Sequence, residues 1–589
     1  LIERRVTLSI CLMPSRWHAA FRIPSVSGQV TTTSDPGRTP GYNGEGARMF
    51  GMMQDRPLVV SMLLERMEGR FRGKEIVTAQ ADGVMRATFG DVADRVRRLV
   101  TVLDGLGVPA DARVGTFGWN TQRHLELYVA VPSSGRVLHT INHRLFAEQL
   151  TFIVNDAADD VLFIDRSLLP IVWPLMKSFT TVRQIVVMDD GDSAEIPDDP
   201  RVRDYETLVA DAEPANDQMF AVHDERSAAS LCYTSGTTGQ PKGVLYDHRS
   251  IILHALMLQT ADAFGLGESD TIMPVVPMFH VNAWGLPYAA LMCGAQLVMP
   301  GTATAPAELL GQIEQHSVTF TAAVTTVWRG ALQHLGGHDL TSLRHIVCGG
   351  GAVPLSLSRA YDEAIGQPLR NAWGMTETSP VVTCAYLPPR TQLSREDARD
   401  LLAHPGVALP LTQLRVVGSD GKVVARDGKS TGELQAAGAT IAAAYFGQSG
   451  PSASSSFTDD GWLRTGDVAT IGPDGQLRIV DRTKDLIKSG GEWISSVELE
   501  NEIMGHGDVV EAAVIAVPDD KWGERPLACV VAAPGTMLSP ELIRQHLAGR
   551  VAKWWVPEQV LIVDEIPKTA TGKFSKVALR DSVLGLDAT

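Results

Sequence analysis

A chain of 589 residues is too long for one compact core, so two or more domains are expected. Hydrophobic residues make up 44% and charged residues 20%, the balance of an ordinary soluble globular protein. The formal net charge of −16, without a basic stripe interleaved with aromatics, argues against a nucleic-acid partner.

The first 48 residues stand apart, with six arginines, three acids and a Pro/Gly/Ser/Thr-rich tail from Ser25 to Gly46 but no sustained periodicity. They read as a disordered or misassigned extension before a working start near Met49; the alternative is an arginine-rich transit peptide. From about Thr88 to Val480, short apolar runs alternate with helical stretches, the pattern of parallel α/β architecture. The acids Asp189, Asp190, Asp192, Glu195, Asp198 and Asp199 lack calcium-loop spacing and are expected on a solvated surface loop.

Apolar Ala228 to Tyr233 predicts a buried strand and Ser250 to Leu258 a buried helix. Between these rigid supports lies a run rich in glycine and hydroxyls, with Thr234, Ser235, Gly236, Thr237, Thr238, Gly239, Lys242 and Gly243. Its glycines let backbone approach a ligand, and its hydroxyls and ammonium offer donors to anionic oxygens, so it reads as a polyphosphate cradle. Pro241 stands where the second glycine of a Walker A loop should fall, and Gly243 follows Lys242 in place of Ser or Thr, so a different nucleotide chemistry is implied. A plain flexible turn is the alternative.

No charged residue occurs between Asp270 and Glu308. Pro274, Pro277, His280, Asn282 and Pro287 interrupt the apolar run, which favours a buried core or binding wall over a membrane span. Within and beyond it, Ala295 to Met299 and Thr319 to Val324 predict strands, and Pro306 to Gln315 a helix with proline in its first turn. A further strand, Leu343 to Cys348, runs into Gly349-Gly350-Gly351, a second place where backbone can lie flat against a ligand.

Trp373, Gly374, Thr376 and Glu377 bring an aromatic, a hydroxyl and a carboxylate close together: a purine can stack on Trp373, Thr376 meet a phosphate and Glu377 hold magnesium. A core tryptophan beside a surface turn is the plainer reading. Asp467 offers acceptors for two ribose hydroxyls, although Thr465-Gly466-Asp467 alone better predicts a turn.

After Asp481 the texture resets. Ser495 and Glu498 form a capping box for a helix ending near Gly505; Val509 to Val517, Leu527 to Ala532 and Val560 to Val563 predict strands, and Ser539-Pro540 opens another helix. We place a large domain at 49–480, a hinge at 481–484 and a small mobile domain at 485–589. The loop from Pro567 to Lys573 presents a lysine that by itself would be read as solvent-exposed charge. Six cysteines scattered without a C-x-x-C pair signal neither a zinc site nor a disulfide framework and suit a reducing cytosol.

In this order the segments resemble the adenylate-forming superfamily, the acyl-CoA synthetases with their luciferase and peptide-synthetase relatives, over roughly Met49 to Leu584. Val276 to Trp284 and Lys488 to Ser496 look most like medium- and long-chain fatty acid:CoA ligases. The resemblance implies a large multi-subdomain α/β domain followed by a small mobile one, with ATP, Mg2+ and coenzyme A as reactants and cofactor. It further implies that Thr234 to Lys242 hold the β- and γ-phosphates, that Gly350, Gly351 and Trp373 frame the adenine, and that Thr376 meets the α-phosphate. Glu377 would bind Mg2+, Asp467 and Arg482 the ribose, and Lys573 would bridge the fatty carboxylate and the α-phosphate. Lys484 matches the hinge position, Gly490 and Gly491 the pantetheine tunnel, Trp284 a gate on the acyl tunnel and His280 its carboxylate end. A cytoplasmic homodimer without a membrane span, compatible with peripheral membrane contact, completes the expectation. Thr325 in place of a common proline, Ala372 in place of a common glycine, and Ala436 to Ala439 depart from the family's pattern and leave substrate identity open. The alternatives are an adenylating enzyme for an aryl acid or for loading a carrier protein, and a non-catalytic nucleotide-binding protein.

Overall fold

The computed structural model describes residues 52–220, 222–234, 240–388, 392–448, 455–490, 492–569 and 573–586. The leader expected at 1–48 lies outside them. The chain divides after Arg56, and every element discussed below belongs to the unit Pro57–Thr589.

The expected α/β architecture is present, built on four sheets among the described residues. A seven-stranded sheet runs Val202–Asp204, Gln184–Met188, Asp159–Asp165, Arg113–Phe117, Val137–Thr140, Ala228–Tyr233 and Gly243–Asp247, parallel until its last pair. A nine-stranded sheet has a parallel centre of Arg370–Gly374, His345–Gly349, Phe320–Val324, Thr271–Pro274, Gln296–Met299 and Glu75–Gln80, with antiparallel strands at both ends. Helices cover parallel strands on both faces, so these strands are apolar throughout rather than alternating; Val161, Leu162, Phe163 and Ile164 are all fully buried. The helix Phe89–Gly105 shows the local logic: Thr88 and Asp91 cap it reciprocally, and Phe89, Val92, Ala93, Val96, Leu99, Val100 and Leu103 form its buried stripe.

Asn120 fastens the two large sheets together. Its Nδ2 donates to the carbonyls of Pro274 and Val276 at 2.6 and 2.9 Å, and its Oδ1 accepts the Met278 N–H at 2.7 Å. This fixes the stretch leading to His280. The charge-free region is thus a core strand, turn, helix and strand, with Leu286–Cys293 buried at every position. Among the described residues no helix is long and apolar enough to cross a membrane. Five cysteines, Cys232, Cys293, Cys348, Cys384 and Cys529, are free and buried.

A four-stranded antiparallel sheet, Thr412–Val417, Gly432–Gly438, Leu463–Ile471 and Leu477–Arg482, precedes the C-terminal region. Its last strand reaches Arg482, two residues past the expected end of the large domain. The final sheet packs Val509–Asp519, Gly523–Ala532, Ile487–Ser489, Glu492–Ile494 and Gln559–Ile562 around its own apolar cluster, including Leu499, Ile503, Val514, Val530 and Ile543. One surface expectation is corrected: Asp190 turns inward, 2% exposed, and accepts the Ser167 hydroxyl at 2.5 Å. A neighbouring hydroxyl gave that carboxylate a buried partner that composition could not reveal.

Candidate active site

The strand Ala228–Tyr233 leads into Thr234, and Gly243–Asp247 returns antiparallel beside it. At the base of the intervening loop the Thr234 N–H donates to the Lys242 carbonyl at 2.9 Å and the Lys242 N–H to the Thr234 hydroxyl at 3.1 Å. Ser235, Gly236, Thr237 and Thr238 lie outside the described residues. The Lys242 ammonium stands 4.7 Å from the ring centroid of Tyr445, a cation–π contact worth about 0.5–1 kcal/mol at an exposed lysine. The Tyr445 hydroxyl in turn donates to Glu377 Oε1 at 2.6 Å, and the Tyr246 hydroxyl to the Thr376 carbonyl at 2.6 Å. Two tyrosines therefore tie the base of the loop between Thr234 and Lys242 to the turn carrying Thr376 and Glu377. Glu377 is 5% exposed. One carboxylate oxygen held by a phenol suits a magnesium site in which the protein supplies a single carboxylate and phosphates supply the rest.

Asp467 lies within the strand Leu463–Ile471, which corrects the expected turn. Pairing with Leu477–Arg482 overrides the local Thr-Gly-Asp signal, and Gly466 adopts φ +72° inside that strand. Arg482 stands opposite Asp467 in the register, with Nε 3.2 Å from Oδ1, while the Trp373 indole N–H donates to Oδ2 at 2.9 Å. Burial pushes the Asp467 carboxyl up, and Arg482 and the indole oppose that shift. Gly374 ends the strand below Trp373, where a Cβ would stand 1.8 Å from the Pro380 carbonyl oxygen, so packing alone demands glycine there.

Two hydrogen bonds tie Lys573 back to Thr569: the Thr569 N–H donates to the Lys573 carbonyl at 2.7 Å and the Lys573 N–H to the Thr569 hydroxyl at 3.2 Å. Its Cε and Nζ lie 3.1 and 3.6 Å from where a Cβ on Gly350 would stand, and Gly350 has φ +77°. Gly351 faces open space. Burial, then Arg482, pushes the Lys573 ammonium down to about 8, against the pull of Asp467 and Glu377. Burial and the nearby Lys573 hold His280 at about 3, so it is neutral near pH 7. Lys573 thus lies beside the glycine triplet and within electrostatic reach of Arg482, Asp467, Glu377 and His280, four groups from distant segments.

Trp284 is 6% exposed, with Cη2 2.7 Å from the position of a Cβ on Gly349. It lies in an unusual stretch in which Val281, Asn282, Ala283, Trp284 and Gly285 all have positive φ, at 47, 50, 50, 56 and 73°. A left-handed turn of four L-residues costs about 4–8 kcal/mol, so its surroundings must hold it. Asn282 does so in part: its Nδ2 donates to the Ser230 hydroxyl at 3.1 Å, and its Oδ1 is 3.3 Å from the Cys232 Sγ. Both partners sit on the strand that leads into the loop after Thr234.

Lys484 is exposed between the last two sheets. Gly490, φ +62°, leaves room for the Trp522 indole, whose Cε3 is 2.7 Å from a would-be Cβ; Gly491 lies outside the described residues. Sequence reasoning missed Tyr246, Tyr445 and Asn282. For the tyrosines no local signal exists, since each acts across more than 60 positions of chain, whereas Asn282 was a polar residue in an apolar run.

The family described as AMP-binding enzyme matches residues 64–446, and the AMP-binding enzyme C-terminal domain matches residues 498–573. A long-chain-fatty-acid–CoA ligase of Thermus thermophilus is 45% identical over 91% of this chain and 98% of its own length. A 3-methylmercaptopropionyl-CoA ligase of Ruegeria lacuscaerulensis is 43% identical over 90% and 98%, and a medium-chain-fatty-acid–CoA ligase of Ectopseudomonas oleovorans 41% over 90% and 97%. Among solved structures, an anthranilate CoA ligase in complex with anthranoyl-AMP superposes with a TM-score of 0.80 at 26% identity, covering 91% of this chain and 99% of that one.

Proposed function

The chain belongs to the AMP-binding enzyme family, and from that premise we infer that it activates a medium- or long-chain fatty acid as its CoA thioester through an acyl-adenylate. In the first step a carboxylate oxygen attacks the α-phosphorus of ATP and pyrophosphate leaves. In the second the CoA sulfur attacks the acyl carbon, AMP leaves with the carboxylate oxygen, and the thiol proton passes to solvent. The observation that carries this reading is Lys573 held beside Gly350 within electrostatic reach of Glu377, Asp467, Arg482 and His280. Relatives at 41–45% identity act, by name, on aliphatic acids, which favours that class over an aryl acid.

Each residue's proposed part follows from its surroundings. Lys573 offsets negative charge as carboxylate and α-phosphate approach, and low polarity around it makes that charge count for more than it would in water. Thr376 donates to the α-phosphate. The Thr234 to Lys242 loop takes the outer phosphates, and Trp373, Gly350 and Gly351 take the adenine. Asp467, with Arg482 and the Trp373 indole already fixing its carboxylate, accepts from the ribose. Glu377 would hold Mg2+, which when bound neutralises phosphate charge. Neutral His280 donates a hydrogen bond at the acid's entry rather than a charge. Gly490 and Gly491 leave the thiol a path, and the small domain turns about Lys484 between steps. We propose a cytoplasmic homodimer, a setting that five buried, unpaired cysteines suit.

The pH dependence has a definite sign. Lys573 keeps its proton below about pH 8 and loses it above, so in the free enzyme the competent fraction falls about tenfold per unit beyond. In pyrophosphate exchange kcat/KM for ATP should decline above that point, while kcat persists to higher pH because bound phosphates restore the ammonium. A kcat/KM that stays level across that range would separate Lys573 from adenylation.

Trp284→Ala should open the wall beside Gly349 and move chain-length preference. Burial of a methylene is worth about 0.8 kcal/mol, so kcat/KM ratios between adjacent chain lengths should shift by up to about fourfold. An unchanged profile would remove the gate assignment. The whole reading is tested by thioester formation with free CoA across 3-methylmercaptopropionate, octanoate, palmitate and benzoate. It fails if no aliphatic acid supports turnover or if ADP is released instead of AMP.

A further inference from the structure

We propose that Arg329 is a positioning residue for adenylation: it latches the small domain onto the large one and thereby sets Lys573 beside Gly350. The inference rests on the adenylating reading above. Arg329 lies on the short helix Thr325–Ala331, which follows the strand Phe320–Val324. Its guanidinium donates to the Val510 carbonyl and lies 3.2 Å from the Met504 sulfur. Met504 closes the helix Ser496–Met504, and its carbonyl accepts the Ser356 hydroxyl at 3.4 Å. A helix C-terminus leaves carbonyls unsatisfied and carries partial negative charge, so a cation and a hydroxyl from the large domain are complementary to it.

Both docking helices begin next to the nucleotide site. Leu355–Ile365 follows the Gly349-Gly350-Gly351 triplet, and Thr325, at the head of the Arg329 helix, donates to the carbonyl of Ala352 at 3.1 Å. That contact gives a use to the residue standing in place of a common proline. From Val510 the route to the lysine is short. Glu511 pairs with Lys568 at 2.7 Å, Lys568 bridges to Phe574, and the Thr569 hydroxyl accepts the Lys573 N–H. Turning the small domain about Lys484 would carry the Ser496–Met504 helix away, so the Arg329 contacts belong to one orientation only. A contact made in one state biases the equilibrium toward it.

The test uses the full chain and two assays: ATP–pyrophosphate exchange with a fatty acid, and thioester formation from supplied acyl-adenylate and CoA. Arg329→Met should lower the exchange kcat by about tenfold or more, with KM for ATP and the thiolation rate each within about twofold. Retained thiolation in the same preparation shows that the variant folds. Arg329→Lys, which keeps the cation, should recover part of the loss, and Ser356→Ala should cost exchange about threefold. Exchange unchanged in Arg329→Met, or both half-reactions falling together, would overturn the latch. Should that variant fail to fold, unchanged exchange in both Arg329→Lys and Ser356→Ala would overturn it equally. A wild-type protein that exchanges no pyrophosphate would sink the adenylating reading, and the latch with it.

Discussion

Lys573→Ala should reduce ATP–pyrophosphate exchange by about 10²–10³-fold while thioester formation from supplied acyl-adenylate stays within severalfold of wild type. The asymmetry follows from where the side chain lies. Lys573 reaches the glycine triplet, with Glu377 and Asp467 drawing on its charge, but it and its hydrogen-bond partner Thr569 belong to the small domain. In the proposed rotation of that domain the ammonium would leave, and the thiol would be served by the face carrying Gly490. Restoring a cation as arginine should not rescue exchange, because Lys573 Cε already lies 3.1 Å from the Cβ position of Gly350 and a guanidinium is bulkier. Equal loss of both half-reactions would contradict this division of labour.

Glu377→Gln should cost exchange about 10²-fold and raise the Mg2+ concentration needed for half-maximal rate. The amide keeps the side chain's volume and still accepts the Tyr445 hydroxyl, so stability should change by less than about 1 kcal/mol while the negative charge disappears. Tyr445→Phe makes the complementary change: the carboxylate remains but loses its 2.6 Å partner, and Lys242 keeps an aromatic face. Its effect on exchange should be the smaller of the two. A magnesium titration of both variants decides the matter, and a Glu377→Gln curve superimposing on wild type would remove the metal-binding role.

Much of the fold was legible because its signals are local. The helix Pro306–Gln315 has the bounds its proline and periodicity predict, and the strand Ala228–Tyr233 those of its apolar run. Ser495 accepts the Glu498 N–H at 3.0 Å, the half of the capping box that four adjacent residues can settle alone. The local reading of Thr465-Gly466-Asp467 as a turn fails for the same reason. Thr-Gly-Asp is a good turn sequence, but hydrogen bonding to the strand ending at Arg482 outweighs that preference, and the partner is a separate element.

The candidate site divides along the same line. Trp373, Thr376 and Glu377 stand out by residue type and spacing, whereas Lys573 was marked only by the family resemblance. Tyr445, lying 68 residues from the carboxylate it touches, does not stand out. Nor does Arg329, whose partners Met504 and Val510 lie 175 and 181 positions away.

By itself, then, the chain's order of residues determined its class of architecture, its nucleotide chemistry and most of the groups expected to carry it, because each is encoded within a dozen adjacent positions. Only the tertiary structure decided how Asp467 is held, why four L-residues before Gly285 bear left-handed strain, and which side chains brace Glu377 and the small domain. Such contacts join segments far apart in the chain. Their energy depends on three-dimensional packing and exclusion of water, which no local window contains.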